Sequence, residues 1–445
     1  MAGRYKAYPE TKESGTKFLD ALPTHWNISK VRFIATFGRG LAITKANLQD
    51  TGVPCVSYGE VHSKYGFEVD PKNHPLKCVS EEYLTSSPYA LLSKGDFIFA
   101  DTSEDIDGSG NFTQLISDEA LFAGYHTVIV RPEPSNHYRF IAYLFDSSEF
   151  RAQVRDTVKG VKVFSITQAI LKNASVWLPP IEEQQKIANF LDHEIAKINN
   201  LIAKQEKLIR LLKEKRQVTI SHAVTKGINP NAPMRDSGVE WIGDVPEHWD
   251  VKKFKYIFKI RKRIAGGTGY DVLSITQKGI KVKDITSGEG QLSLDYSKYQ
   301  LVYVGDFAMN HMDLLTGFVD ISKHEGVTSP DYRVFTLEHK SSEPNYYLRL
   351  LQMGYHDKLF YPLGQGAAHL GRWRLPTEAF NEFLAPCPPY NEQKEISCFI
   401  NNTHDRIDAL LEKAEDAVML MKEKKLALIS AAVTGRIDLR DWSQK

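Results

Sequence analysis

The sequence predicts an α/β (α+β) chain built by tandem duplication. Two globular domains with mixed sheets are joined by two long helices that pair as an antiparallel coiled coil with pseudo-two-fold symmetry. Three observations lead there. The stretch LPPIEEQQKIANFLDHEIAKI from Leu178 returns as CPPYNEQKEISCFINNTHDRI from Cys387. The stretch SGTKFLDALPTHWNISKVRF from Ser14 returns as SGVEWIGDVPEHWDVKKFKY from Ser237. Between these matched ends, each half carries short apolar runs broken by Gly, Pro, Asn and Asp, the pattern of strands and turns.

Bulk properties are consistent with this plan. A chain of 445 residues is too long for one ordinary core and implies two to four domains. Hydrophobic content of 42% with 11% aromatics supplies large cores. A net charge of +1 leaves nucleic-acid binding open, because a basic face can hide inside a neutral average. Cys55, Cys78, Cys387 and Cys398 form no CxxC pair and no framework spacing, so they read as free thiols in a reducing compartment. The first fifteen residues lack the apolar core of a signal peptide. No run of about 18 apolar residues predicts a membrane span. The expectation is a cytoplasmic protein with no membrane contact.

The repeat fixes the domain plan. Pro179-Pro180 and Pro388-Pro389 lie 209 positions apart, and that offset persists without a gap through Glu183-Gln184 and Glu392-Gln393, Phe190 and Phe399, and ISHAVTKGI and ISAAVTGRI. Trp26 and Trp249 lie 223 positions apart, so the second copy is the shorter one. A third echo aligns Gly95-Asp96-Phe97 with Gly305-Asp306-Phe307. Boundaries follow at 1–178 for the first domain, 179–226 for the first helix, 227–386 for a linker and the second domain, 387–434 for the second helix, and 435–445 for a tail.

Each PP-x-x-E-Q segment opens a helix, since prolines suit its first turn and an acidic residue there meets the positive end of the helix dipole. Leu191, Ile195, Ile198, Ile202, Ile209 and Leu212 follow at helical spacing, as do Phe399, Ile400, Ile407, Leu410, Leu411, Val418 and Met421. Gln205 is a mild polar defect in this seam. About 40 residues make a rod of about 60 Å. Each helix could pack on its own domain alone, but a stripe this long matches a partner of equal length, and the chain contains one. Antiparallel pairing leaves a domain at either end, whereas parallel pairing crowds both together.

In the domains, DFIFA, HTVIV, YRVFTL and DVLSI read as strands, and NHYRFIAYLFDSSEFRAQV and NYYLRLLQMGYHDKLF as helices. Trp26 and Trp249 read as core anchors of each copy. Catalytic patterns are missing. There is no phosphate-binding G-x-x-x-x-G-K-[ST] loop, no G-x-G-x-x-G, no H-E-x-x-H and no G-x-S-x-G. AGGTGYDV near Gly266 reads as a loop. CPPY at Cys387 looks like the N-P-P-Y motif of adenine-N6 methyltransferases, but cysteine stands where asparagine would bond the flipped base, and the other copy reads LPPI. Both are helix starts. The reading is a non-enzyme with no cofactor and no metal.

With these residues in view, the chain resembles the specificity subunit of type I restriction-modification systems. The duplicated PP-x-x-E-Q helices ending KxxxISxAVTxxI, the EHW opening and the GDF turns carry the resemblance, which covers essentially the whole chain. It implies two target recognition domains that read a bipartite, asymmetric sequence in double-stranded DNA. It implies a coiled coil acting as the ruler between half-sites. It also implies partners: two modification subunits that methylate adenine, and restriction subunits that complete an ATP-dependent endonuclease. ALPTHW departs slightly from the usual opening, where an acidic residue is expected.

DNA contacts are expected where positive charge meets flexible loops. In the second domain these are Lys259, Arg261, Lys262 and Arg263 of KIRKRIAGGTGY, and His369, Arg372 and Arg374 of GAAHLGRWR. In the first they are Arg39 and Lys45 of FGRGLAITK, and Lys159 and Lys162 of VKGVK. Arginine can be bidentate to guanine, whereas lysine more often meets phosphate; ordinary solvated surface charge is the alternative for each. Two other functions stand beside the reader: a coiled-coil adaptor without DNA selectivity, and a self-sufficient DNA methyltransferase or nuclease.

Overall fold

The protein is represented by a computed structural model that describes residues 5–158, 160, 163–284, 296–367 and 372–443, with the side chains of residues 367 and 372 outside the description. The chain divides into two compact units, Met1–Gln205 with Asp416–Lys445, and Glu206–Glu415. The division cuts both long helices, Ile181–Lys226 and Tyr390–Val433. Each unit therefore holds one globular domain, the start of the helix that follows it, and the end of the other helix.

The two helices contain 46 and 44 residues, about 69 and 66 Å at 1.5 Å per residue. They open where the prolines predict: Pro180 O accepts from Glu183 N at 2.9 Å and from Gln184 N at 3.0 Å. Seam positions recur at alternating steps of four and three, as Ile198, Ile202, Gln205, Ile209, Leu212 on one helix and Ile407, Leu411, Ala414, Val418, Met421 on the other, each at least half-buried. That spacing is the heptad of a coiled coil. The pairing is antiparallel. In the second unit Lys213 reaches Glu415 at 3.7 Å while Arg216, further along, reaches the earlier Asp408 at 2.8 Å. In the first unit Lys425 Nζ donates to Asn199 Oδ1 at 3.2 Å. Phe399 and Leu410, expected in the seam, are instead 42% and 51% exposed. A strict 3.5-residue repeat turns both off the seam that a looser 3.6 pattern allows.

In the first unit a five-stranded sheet runs in the order Ala35–Arg39, Thr127–Pro132, Phe97–Ala100, Phe112–Leu115, Phe67–Val69. Its last pair is parallel and the rest antiparallel. Alternation splits the central strands between two cores. Phe97, Phe99 and Val130 face the helix Tyr138–Asp146 and the start of the first long helix, while Ile98, Ala100 and Ile129 face a second cluster with Val56 and Val61. In the second unit a four-stranded antiparallel sheet, Phe258–Arg261, Arg333–Leu337, Phe307–Met309, Val319–Ile321, packs on the helix Pro344–His356.

Matching sequence builds matching joints. In the first unit Asn27–Lys30 pairs with Ser175–Leu178 just before the long helix, and in the second Asp250–Lys253 pairs with Leu384–Cys387. Trp26 and Trp249 are buried at the joints. Glu183 Oε1 accepts from Trp26 Nε1 at 3.0 Å and from the Tyr8 hydroxyl, and its Oε2 faces His25 Nε2 at 2.8 Å. Glu392 Oε2 repeats this with Trp249 Nε1 at 3.0 Å and His248 Nε2 at 2.8 Å. The next residue locks the domain's own helix. Gln184 Oε1 accepts from His137 N at 2.9 Å, and Gln393 Oε1 accepts from Glu343 N at 2.8 Å. Returning helix ends close each joint. Gly435, at φ +72°, lies against Pro23, where a Cβ would fall 2.3 Å from Cδ; Gly227, at φ +77°, lies against Trp249. Ser430 Oγ donates to Glu149 at 2.6 Å, and its repeat mate Ser221 to Asp357 at 3.0 Å.

Replacing Glu183→Gln removes a nearly buried charge that three donors address, and is expected to cost about 2 kcal/mol, against about 1 kcal/mol for Glu392→Gln, whose side chain is more open. Urea unfolding of both variants measures the difference, and equal midpoints would refute it. The Oε1 atom of Gln205 is buried in the seam without a partner among the described residues. Gln205→Leu should therefore stabilise the chain by about 1 kcal/mol, read as a rise in the thermal midpoint; a fall would show that the amide is satisfied in solution.

Candidate nucleic-acid interface

One end of each central sheet collects loops rich in polar side chains. In the first unit Arg39 ends its strand opposite Val128, Asp101 N bonds to His126 O at 3.1 Å, and Ile166 N bonds to Asp101 O at 2.7 Å. Arg39, Asp101, Tyr125 and His126 thus share this end with the strand Phe164–Ser165, which emerges from the segment bearing Lys159 and Lys162. In the second unit Arg261 stands opposite Val334, and Leu375 N bonds to His311 O at 2.9 Å. Ile166 and Leu375 are repeat mates at the 209 offset. Ile166 and Leu375 therefore reach the same place on two related sheets.

The expected contact residues are placed as follows. Arg39 is exposed, its guanidinium 5.8 Å from the centre of the Tyr89 ring. Lys45 is exposed on the short helix Lys45–Asn47 beside this end. Arg261 donates through Nε to Thr336 Oγ1 at 3.0 Å, Lys262 is exposed, and Arg374 is exposed on the strand Arg372–Arg374. Lys259 sits further back on its strand, 3.8 Å from Glu338. Arg263 is held by both oxygens of Asp306, at 2.7 and 3.1 Å, over the Tyr303 ring. Lys159, Lys162 and His369 lie outside the described residues, as does the side chain of Arg372. The sheet end thus gathers Arg39 in one unit and Arg261, Lys262 and Arg374 in the other.

The GDF turns explain why Arg263 is tied down. Asp96 and Asp306 are buried and accept from backbone N–H groups at the turn, Ser93 at 2.9 Å and Tyr303 at 2.8 Å. Each then holds an arginine, Arg131 or Arg263. Burial pushes the Asp96 carboxyl up, while the Ser93 N–H and Arg131 draw it back down.

Several groups at the sheet ends were not singled out from sequence. In the first unit Asn111 Nδ2 donates to His62 Nδ1 at 3.0 Å, which leaves the His62 Nε2 proton for Thr102 O at 2.7 Å. Arg151 Nη1 donates to Asn111 Oδ1 at 2.8 Å. His126, at φ +56°, faces Asp101 at 3.2 Å and packs edge-on against Tyr58 and Tyr125. In the second unit burial lowers the Arg333 guanidinium to about 10, still charged at neutral pH, and its Nη2 donates to Leu375 O at 3.0 Å. Burial, together with Arg333 and Arg374, holds His311 neutral at about 3. The signal available in sequence was position: Asp101 follows and His126 opens a run that reads as a strand, and His311 lies shortly after the second GDF turn. Among the described residues no group of three His, Cys, Asp or Glu could hold a metal ion, and no helix is long and apolar enough to cross a membrane.

Comparisons agree with this construction. Residues 23–210 match the family described as the type I restriction modification DNA specificity domain. The chain is 25% identical over 335 residues to the MjaVIII specificity subunit of Methanocaldococcus jannaschii, covering 71% of this chain and 74% of that one. It is 24% identical over 368 residues to the EcoKI specificity subunit of Escherichia coli, covering 82% and 71%. Its fold is shared with a chain solved in work on complex assembly and conformational transition of the type I restriction-modification system, at a TM-score of 0.65 and 14% identity over 94% of this chain and 99% of that one. It is also shared with the HsdS subunit from Thermoanaerobacter tengcongensis, at 0.51 and 14% over 96% and 100%. Residues 23–210 are thus a type I restriction modification DNA specificity domain, and the whole chain is similar to the specificity subunits of such systems in sequence and in fold. The matched domain has a DNA-specificity role, which is not a catalytic one.

Arg263→Ala leaves the buried Asp306 unpaired and should destabilise the second unit by about 2 kcal/mol, whereas Lys262→Ala should leave stability unchanged. Thermal unfolding of the two variants measures this; equal losses would mean that Arg263 is not held by the turn.

Proposed function

We propose that the chain reads a bipartite, asymmetric sequence in double-stranded DNA, one half-site at the sheet end of each unit. The observation that carries this is the recurrence of one architectural position with different side chains. Arg39, His126 and Asp101 occupy it in the first unit, and Arg261, Lys262, Arg374 and His311 in the second. Two sites of common build and unlike chemistry suit two unlike half-sites. The exposed cations supply phosphate contacts, and Arg and Asn edges can read bases. Lys45, Lys159, Lys162, Lys259, His369 and Arg372 belong to the same proposal as its outer contacts, with Arg263 as the brace of its loop.

The antiparallel seam serves as the ruler. Helices of about 66–69 Å suit half-site centres about one turn of duplex apart. Partner subunits have a surface to hold. Leu201, Leu208, Leu211 and Val218 stand exposed on the first long helix at steps of seven, three and seven, the spacing of a second heptad stripe that a partner helix could cover. In this reading two adenine-N6 modification subunits dock on the helices and restriction subunits complete the complex.

Lys262→Ala should weaken binding to all duplexes about equally and lower the slope of log affinity against log salt by about one, while Arg374→Ala should relax base preference in one half-site only. Selection from random duplexes by the chain with its modification subunits is expected to return two defined blocks separated by a fixed gap. Adenine methylation by the purified chain alone would refute the noncatalytic reading, and selection unchanged by removing this chain would point to an adaptor.

A further inference from the structure

The second unit holds a cleft of about 570 Å³ framed by the long helices, the helix Pro344–His356 and the loop at 315–318. Its lining includes Arg216, Arg349 and Lys358 and, among the described residues, no carboxylate. Arg349 is the unusual member. Its Nη1 donates to Gln352 Oε1 at 3.1 Å and its Nη2 to Asn401 Oδ1 at 3.4 Å, both neutral amides, and its Nε is buried with no partner among the described residues. Gln217 Nε2 and His404 Nε2, also on the lining, are buried and unpartnered. Nearby carboxylates are already engaged. Asp408 holds Arg216 at 2.8 Å, and Asp320 accepts from Ile280 N at 3.2 Å. Unmatched buried donors around a cation are costly unless a ligand satisfies them.

The duplication supplies an internal control. The corresponding cleft in the first unit is about 210 Å³ and is lined by Glu68, Asp146 and Asp192 as well as Arg139 and Lys425. There Arg139 is fully matched, to Glu68 at 2.6 Å and to Asp192 at 2.7 Å. At the 209 offset Asp192 becomes Asn401, Ile195 becomes His404 and Lys425 becomes Arg216. Tyr143 becomes Arg349 when the two domain helices are aligned on His137 and Glu343, which bond the repeated glutamine. The second copy has exchanged an acid for an amide, and a phenol and an aliphatic chain for nitrogen donors, while the cleft has widened. Phe318 and Met353 give it an apolar wall beside the donors.

We propose that this cleft in the second unit is an anion site that takes a phosphate group, with Arg349 as its main ligand and Gln217, His404 and Lys358 around it. A guanidinium whose bonds go only to neutral amides, in a partly dry cleft, matches phosphate oxygens better than ordinary surface lysines do. The phosphate comes either from a small phosphate ester or from a nucleic-acid backbone. The inference goes beyond the DNA-specificity reading and does not rest on it, since a chain that bound no duplex would still titrate with phosphate.

The test is calorimetric titration of the full chain at constant ionic strength with inorganic phosphate and, separately, with adenosine 5′-monophosphate. Saturable binding of one phosphate per chain is expected, weakened about tenfold or more by Arg349→Gln, as loss of a charge-assisted contact implies. Asn401→Asp is the second variant: it places beside Arg349 the carboxylate that the first unit has, and should abolish binding without loss of thermal stability. A monophosphate that binds more tightly than inorganic phosphate identifies a small ester on the apolar wall. A monophosphate no tighter than phosphate, with phosphate competing against duplex and both variants weakening duplex binding, identifies the backbone. No saturable binding in the unaltered chain, or binding that survives both substitutions, would overturn the proposal.

Discussion

Two buried or half-buried glutamates, Glu183 and Glu392, hold this structure in register. Each stands in the first turn of a long helix, where the helix dipole favours a negative charge, and each accepts from a tryptophan indole that is itself the anchor of a domain. The glutamine that follows bonds the N–H of the residue that caps the start of the domain's own helix. A domain, its core and the start of its long helix are thus fixed by two adjacent side chains. A domain placed this way cannot turn about the helix without breaking several bonds to a buried charge.

The joint also explains how the sequence can vary so much between its conserved ends. The paired strands before each long helix, the tryptophan and the E-Q dipeptide are the same in both copies, whereas the sheets differ in strand number and edge pairing. The first unit adds a parallel edge strand and a small three-stranded sheet; the second adds separate hairpins. Loops at the sheet ends are free to diverge because the core beneath them does not depend on their side chains. For a specificity subunit that separation has a use: recognition chemistry changes without altering the placement of the domain.

The same economy applies to charge. In the first unit the cations beside the long helices are matched by Glu68 and Asp192, and the GDF aspartates brace an arginine in both units. In the second unit the bonds of Arg349 and of the buried Arg333 to described residues go to neutral groups instead. At matching positions an amide stands for Asp192 and a guanidinium for Tyr143, so the two clefts differ by one carboxylate lost and one cation gained.

Much was determined by the sequence alone. The 209-residue repeat, the PP-x-x-E-Q openings and the apolar period defined two long helices and their antiparallel pairing, because a heptad stripe must be covered and only its own copy matches it in length. The strands DFIFA, HTVIV, YRVFTL and DVLSI were readable from alternation and turn residues, and Trp26 and Trp249 as anchors from their repetition. Tertiary structure decided what periodicity could not. It turned Phe399 and Leu410 out of the seam, since a few degrees per residue separate a heptad from an ideal helix. It tied Arg263 to Asp306, a partner 43 positions away in the chain, and brought Arg39, Asp101 and His126 to one sheet end through strand register. Charge in a sequence shows where a cation is; only the fold shows whether a carboxylate has already claimed it.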